Sequence, residues 1–235
     1  MKRSMKALIG YTIGATNGEI GKIKDFFFDD KTWTIRYLIV ETGNWISRRK
    51  ILIAPEALLT PDEKKEVFPV KLTMGQVRNS PNISTELTVS RQNEMKWNKY
   101  YSWTNYWKKG VGTSGMMMQV EEPIEEAIHN NNNTIDEASI NDPDLRSAQQ
   151  VAGYSINSND GTLGKVEDFI IDDSSWKIDW IVVNIGNWFA EKKVLISSKT
   201  IKEIKWQDST VAINESIMQL KDSPEYNLSQ FKNEA

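Results

Sequence analysis

One stretch of this 235-residue chain is written twice. DDKTWTIRYLIVETGNW, from Asp29 to Trp45, returns as DDSSWKIDWIVVNIGNW, from Asp172 to Trp188. A constant offset of 143 positions keeps the two halves in register without a gap. Gly10-Tyr11 falls on Gly153-Tyr154, Gly21-Lys22 on Gly164-Lys165, Asp25-Phe26 on Asp168-Phe169, and Ser80-Pro81 on Ser223-Pro224. Two units of about 75–80 residues, each large enough to be a small domain, therefore bracket a middle segment that is not repeated. This is a tandem duplication rather than a solenoid.

Within each copy the pattern is that of short strands joined by turns. Asn17-Gly18 and Asp160-Gly161 are the residue pairs favoured in two-residue hairpins, where positive φ is required. Strands are expected at about Gly10–Ala15 and Glu19–Phe28 on either side of the first of them. Asp29 to Thr32 breaks the pattern with turn formers, and Thr34 to Glu41 restores it. In that strand Ile35, Tyr37 and Ile39 share one face while Leu38 and Val40 share the other, so both faces are expected to be buried. Lys50–Ala54 and Val67–Leu72 supply two more strands. Thr73-Met74-Gly75-Gln76 and Ser216-Ile217-Met218-Gln219 fit the Ser/Thr-x-x-Gln capping box, and the Ser-Pro pairs that follow stop the helix. The expected fold is mainly β: two tandem small antiparallel barrels, each closed by a short helix that plugs one end with Met74 and Val77 or with Ile217 and Leu220.

Order and residue type together resemble the PRC-barrel domain: Gly-Tyr, the hairpin, Gly-x-Ile/Val-x-Asp-Phe, Asp-Asp-x-x-Trp and a Gly-Asn-Trp turn. That family includes the H subunit of the photosynthetic reaction centre and a domain of the ribosome maturation factor RimM. The resemblance covers Met5–Asn82 and Ser147–Tyr226, and it implies a barrel, not a reaction. The membrane helix of the H subunit and the N-terminal domain of RimM have no counterpart here. A reaction-centre or ribosome-associated role is thus implied by family analogy alone.

Composition narrows the function classes. Hydrophobic residues make up 39% and charged residues 26%, and the formal charge is −3 at pH 7, which gives no general reason to bind nucleic acid. With no cysteine there are no disulfides, thiolate metal sites or cysteine nucleophiles. The basic start reaches glycine, tyrosine and threonine before a sustained apolar run, and no segment approaches the ~18–20 apolar residues of a membrane span. A soluble, cytoplasmic protein is the expectation. His129, the single histidine, adjoins the Asn130–Asn133 run and has no nucleophile pattern near it. Asp29-Asp30 and Asp172-Asp173 offer too few oxygens for a hard cation and read as solvated turn residues. No catalytic residue, metal site or cofactor is assigned.

Gly43 and Gly186 are expected to accept unusual backbone angles, and Asn44 and Asn187 to bond the turn backbone. Trp33, Trp45, Trp176 and Trp188 are large enough to cover a barrel mouth; an aromatic-walled ligand pocket is the alternative. Arg48, Arg49, Lys50, Lys192 and Lys193 are the candidates for contact with an anion, although such runs also read as a solvated strand edge. Between the repeats, Ser90 caps an expected helix over Arg91–Tyr101. Its surroundings supply Trp97, Tyr100, Tyr101, Trp103, Tyr106 and Trp107, which either pack on the barrels or meet a partner.

These readings divide the chain into a first barrel at 1–89, an aromatic helical segment and flexible acidic, Asn-rich linker at 90–146, and a second barrel with a polar tail at 147–235. The barrels are expected to dock as a pseudo-two-fold pair with the Ser90–Trp107 segment near the junction, in a monomer or a homodimer. Arg36 and Tyr37 in one copy stand where the other has Asp179 and Trp180, so opposite charges would face each other only in the mixed pair. The function expected is non-enzymatic binding or scaffolding of an unidentified protein. A regulatory domain for a small polar or anionic ligand, and an RNA- or ribosome-associated factor, are the rival classes.

Overall fold

Lys2–Ser4 forms a strand, β1, and Met5–Leu8 a single helical turn, α1, in which the Ser4 hydroxyl accepts from the Ala7 N–H at 3.0 Å. Neither element is announced by periodicity, because three and four residues are too few to show one. This computed structural model describes residues 1–44, 48–81, 91–107, 145–186 and 192–227. His129, the 108–144 linker, Trp45, Asn187, Trp188 and the end of the polar tail lie outside them.

The first barrel follows as β2 (Thr12–Ala15), β3 (Gly18–Asp29), β4 (Thr34–Thr42), β5 (Lys50–Ile53) and β6 (Val67–Pro69). The ladder runs β5-β4-β3-β2-β6, antiparallel except for the parallel β2–β6 pair. From β5 the chain passes through a 3-10 turn at Pro55–Ala57 and returns beside β6 through the bridges Leu58–Val70 and Asp62–Val67. Pro61 and Pro69 lack the N–H that a full ladder needs there, so the 58–62 stretch meets β6 and Val70 only through isolated bridges. Ile35, Tyr37, Leu38, Ile39 and Val40 are all buried, as two covered faces require.

A short helix, α2 (Met74–Arg78), closes the unit, with Thr73 and Gln76 forming the reciprocal capping box. Asn17 proves to be more than a turn former. The two-residue connection is Thr16-Asn17, positive φ falls on Gly18 alone of these three, and Asn17 Oδ1 accepts from the Met74 N–H at 2.9 Å. Asp160 does the same for the Ile217 N–H at 2.8 Å. Asn and Asp interchange here because each supplies a carbonyl-type acceptor to an orphan donor at a helix start.

The second barrel repeats the plan with β7 (Leu145–Ser147), α4 (Ala148–Val151), β8 (Ser155–Ser158), β9 (Gly161–Asp172), β10 (Lys177–Asn184), β11 (Lys193–Ser197), β12 (Ile201–Lys205), β13 (Thr210–Ile213) and α5 (Ile217–Asp222). Without the two prolines, the bridges of the first copy become the β12–β13 pair. The free edge of β11 is covered by Pro224–Tyr226: Leu195 N–H donates to Pro224 O at 2.9 Å, and Tyr226 N–H to Lys193 O at 2.8 Å.

Residues 1–88 and 144–235 form one compact unit, and residues 89–143 a second. The described part of the second is the helix α3 (Arg91–Tyr101) and its return to Trp107. Among the described residues, no helix is long and apolar enough to cross a membrane.

Candidate functional site

The two barrels exchange their leading strands. β1 pairs with β9 of the second repeat, setting Lys2 opposite Asp172 and Ser4 opposite Ile170. β7 pairs with β3 of the first, setting Leu145 opposite Asp29 and Ser147 opposite Phe27. Both contacts obey the offset of 143, so the arrangement is reciprocal, as a pseudo-two-fold pair requires.

At the centre of each exchange sits a buried carboxylate. Asp168 accepts from the Ser4 hydroxyl at 2.5 Å, from the Lys6 N–H at 2.9 Å and from its neighbour Phe169 N–H at 2.7 Å. Asp25 accepts from the Ser147 hydroxyl at 2.5 Å, the Gln149 N–H at 3.0 Å and the Phe26 N–H at 2.7 Å. Only 9% of Asp25 and 6% of Asp168 is exposed, which makes unmatched acceptors costly. Burial pushes both pKa values up, against the opposing pull of those hydrogen bonds.

The Asp-Asp turns, expected to be solvated, belong to the same junction. Arg146 Nε donates to Asp30 Oδ2 at 2.9 Å, and Arg3 Nε to Asp173 Oδ2 at 2.6 Å. The two arginines then differ on their other side: Arg3 pairs with Glu63 at 2.8 Å, whereas Arg146 lies 4.3 Å from the ring centroid of Trp206, the residue that replaces Glu63 in the second copy. Asp29 and Asp172 accept from the backbone of their own turns, through Lys31 and Thr32 or through Ser174. Solvation fails as an account because the partner repeat arrives with a guanidinium for the second aspartate of each pair.

Trp33 and Trp176 adopt φ of 52° and 55°, a left-handed conformation that non-glycine residues resist. The reason is visible in the backbone: Ile35 N–H donates to Trp176 O at 2.8 Å and Ile178 N–H to Trp33 O at 2.7 Å. The Trp33 ring stacks on Phe28 at 5.4 Å, Phe28 meets Phe169 of the other repeat at 5.8 Å, and Trp176 meets Phe68 at 6.1 Å. These two tryptophans thus build the junction and not a barrel mouth.

A pH dependence follows. Asp29 is held below the usual carboxylate range: burial opposes this, but Arg36 and the Thr32 N–H prevail. Asp172 is lowered by Ser174 and Lys2, Asp173 by Arg3 and the chain's amino group against burial, and Glu167 by Lys193 and Lys6 against burial. Lowered groups contribute stability above their unfolded pKa and lose it as pH falls through the folded value. Asp25 and Asp168, being raised, have the opposite sign and regain stability on protonation. The melting temperature is expected to fall below about pH 4, and to fall more steeply in an Asp25→Asn, Asp168→Asn double variant, which lacks that compensation. Equal slopes in scanning calorimetry over the acid range would refute this balance.

Four of the five basic candidates bond within the protein. Arg49 spans the end of α2, donating to Val77 O, to Ser80 O at 3.3 Å and to Ser80 Oγ at 2.8 Å. Lys192, its counterpart, donates to Lys221 O at 2.7 Å near the end of α5. Both thereby satisfy carbonyls that a helix end leaves over. Arg48 Nε donates to Asn44 Oδ1 at 2.9 Å, Lys193 pairs with Glu167 at 2.7 Å, and Lys50 is exposed.

In the middle segment, α3 ends in a Schellman turn with Ser102 at φ 57°, where Trp103 N–H reaches Asn98 O at 2.8 Å. The returning chain is held by Asn98 to Asn105 at 3.0 Å and Tyr106 OH to Glu94 at 2.9 Å. Trp97 is fully buried and meets Tyr101, which stacks on Trp103 at 4.4 Å. Tyr106 and Trp107 meet edge to face at 4.8 Å, and Tyr100, with Met95, is exposed.

The residues that reading the sequence missed are Ser4, Ser147 and their arginine neighbours. Arg3-Ser4 and Arg146-Ser147 do stand 143 apart, but they precede the first glycine of the obvious match. Among the described residues, no group of three or more His, Cys, Asp or Glu side chains is placed to hold a metal. No curated protein matches the chain. The model of the PRC-barrel domain matches at residues 4–73 and again at 145–216, more than half of the chain, and both matches take in the exchanged serines. The chain belongs to the PRC-barrel domain family and carries that domain twice.

Proposed function

We propose that this is a non-enzymatic binding or scaffolding protein, cytoplasmic in location, that engages a protein partner through the unrepeated aromatic segment. The observation that carries the reading is where the matched polar residues go. Ser4, Asp25, Asp30, Ser147, Asp168 and Asp173, whose hydroxyls and carboxylates are the types that reactions use, join one repeat to the other. Among the described residues, the exposed aromatic side chain is Tyr100 on α3, a helix that also exposes Met95. Exposed tyrosine and methionine side chains suit a protein contact, since both types are enriched in interface cores. Tyr101 meets Tyr100 edge to face at 4.7 Å and connects it to Trp97 and Trp103, while Tyr106 and Trp107 are the remaining candidates of the segment.

A photo-crosslinking residue at position 100, introduced in the native host, is expected to capture a discrete protein, while the same residue at Met218, 73% exposed, should not. Equal capture from both positions would remove α3 from the reading. Co-purifying RNA would favour the ribosome-associated class, and a bound small molecule the ligand-binding class.

A further inference from the structure

We propose that the junction carries a pairing code, in which the first repeat recognises a barrel charged like the second and rejects a second copy of itself. Most of the junction does not discriminate. The serine–aspartate contacts, the arginine–aspartate pairs and the tryptophan carbonyl bonds occur in both directions, so a pair of identical repeats would satisfy them equally well. Discrimination falls on positions where the copies differ in charge, among them those of Lys2 and Lys6.

Lys2 bonds Asp179, and also Asp172 at 2.9 Å. Its counterpart is the apolar Leu145, which is buried beside Asp29, itself paired with Arg36 at 2.8 Å. Arg36 is the counterpart of Asp179, so the expected attraction between Arg36 and Asp179 is replaced by one between Lys2 and Asp179. Lys6 likewise pairs with Glu167 at 3.3 Å, where the counterparts are Gln149 and Lys24.

The consequence for a pair of first repeats is direct. Each Lys2 would approach Arg36 of the other copy, and each Lys6 would approach Lys24, giving four like-charge contacts. A pair of second repeats would set Leu145 against Asp179 and Gln149 against Glu167, with no cation from the partner. Lys2 keeps a carboxylate in either case, since Asp29 stands where Asp172 does, but at the Asp179 and Glu167 positions only the mixed pair gains opposite charges. Single exposed pairs contribute little, but replacing attraction by repulsion at several sites in a symmetric contact biases partner choice.

The test starts from the full chain with a protease site placed in the 108–143 segment. After cleavage, the protein is unfolded in urea, refolded and weighed by native mass spectrometry. Mixed pairs are expected to dominate, with self-paired repeats below about a tenth of them. Self-pairs near the statistical share, or halves that remain single, would overturn the proposal. The decisive variant is Lys24→Glu, which leaves the Lys2–Asp179, Lys6–Glu167 and Arg36–Asp29 contacts untouched and gives up only the exposed Lys24–Glu41 pair. It is expected to make first-repeat pairs appear, because the new carboxylate can meet Lys6 of a second copy. If the variant pairs as the parent does, charge does not set the code.

Discussion

Gly21→Ala is expected to disrupt the first barrel outright. A Cβ at Gly21 would lie 2.0 Å from Glu41 O, 2.7 Å from Glu41 C and 2.8 Å from the Thr42 Cα. All three are backbone atoms of β4, so relief demands that two paired strands separate at the register Gly21–Thr42. No side chain can turn aside to accommodate it. A clash of this kind belongs with the severe overpacking cases, about 4 kcal/mol or more. In a chain of this size that corresponds to a fall of about 10 °C or more in Tm. Gly164 occupies the matched position, where φ is +79° and a Cβ would meet Asn184 O at 2.6 Å, so Gly164→Ala should damage the second barrel for two reasons at once. Thermal melts of the two variants check the idea. A Gly21→Ala protein that melts within about 2 °C of the parent would mean that β3 and β4 do not approach so closely.

Removing a central carboxylate should have the next largest effect. Asp168→Ala strands the Ser4 hydroxyl, the Lys6 N–H and the Phe169 N–H; Asp25→Ala does the same to Ser147, Gln149 and Phe26. Two of the three donors in each set are backbone N–H groups with their acceptor suddenly absent in a buried place. The expected loss is about 3 kcal/mol for each variant, larger than for a typical single hydrogen bond. Asparagine keeps an oxygen for the two N–H groups and removes a charge that burial penalises, so Asp25→Asn and Asp168→Asn should cost much less. The contrast between alanine and asparagine is the measurement, read by denaturant unfolding. If asparagine is as damaging as alanine, the negative charge itself is needed and the acceptor account fails. Because each carboxylate reads the other repeat, alanine at either site should also weaken the pairing of cleaved halves.

The barrel was legible because its evidence is local and duplicated. The strand at Thr34 carries five apolar residues on two faces, the capping boxes are spelled in four letters, and α3 appears over the expected Arg91–Tyr101. The junction was not legible for the opposite reason. β1 and β7 are three residues long, and what defines them is a partner more than 110 positions away. A serine four residues from one end of the chain has no property that points to Asp168. Matched letters also carry an ambiguity that spacing alone does not resolve. Asp30 and Asp173 look like turn residues by type, and they are, yet the guanidinium each receives comes from the other copy. The aromatic segment was visible as composition, but which of its residues face inward depends on the Schellman turn at Ser102, where a serine holds a conformation usually left to glycine.

The exchange of leading strands sets a timetable for synthesis. Ser4 waits for a partner 164 residues downstream, so the first barrel cannot be finished when its own last residue leaves the ribosome. At ordinary elongation rates the interval between residue 88 and residue 172 lasts on the order of ten seconds. Until residue 147 has been added, the unpaired edge of β3 and the apolar rings of Phe27 and Phe28 wait for β7. An unfinished edge of this sort is an invitation to a neighbouring nascent chain on the same message. Lys2 and Lys6 then act as a temporal safeguard: on a polysome the first repeats are the species most abundant before any second repeat exists, and they are the ones whose mutual approach is repulsive.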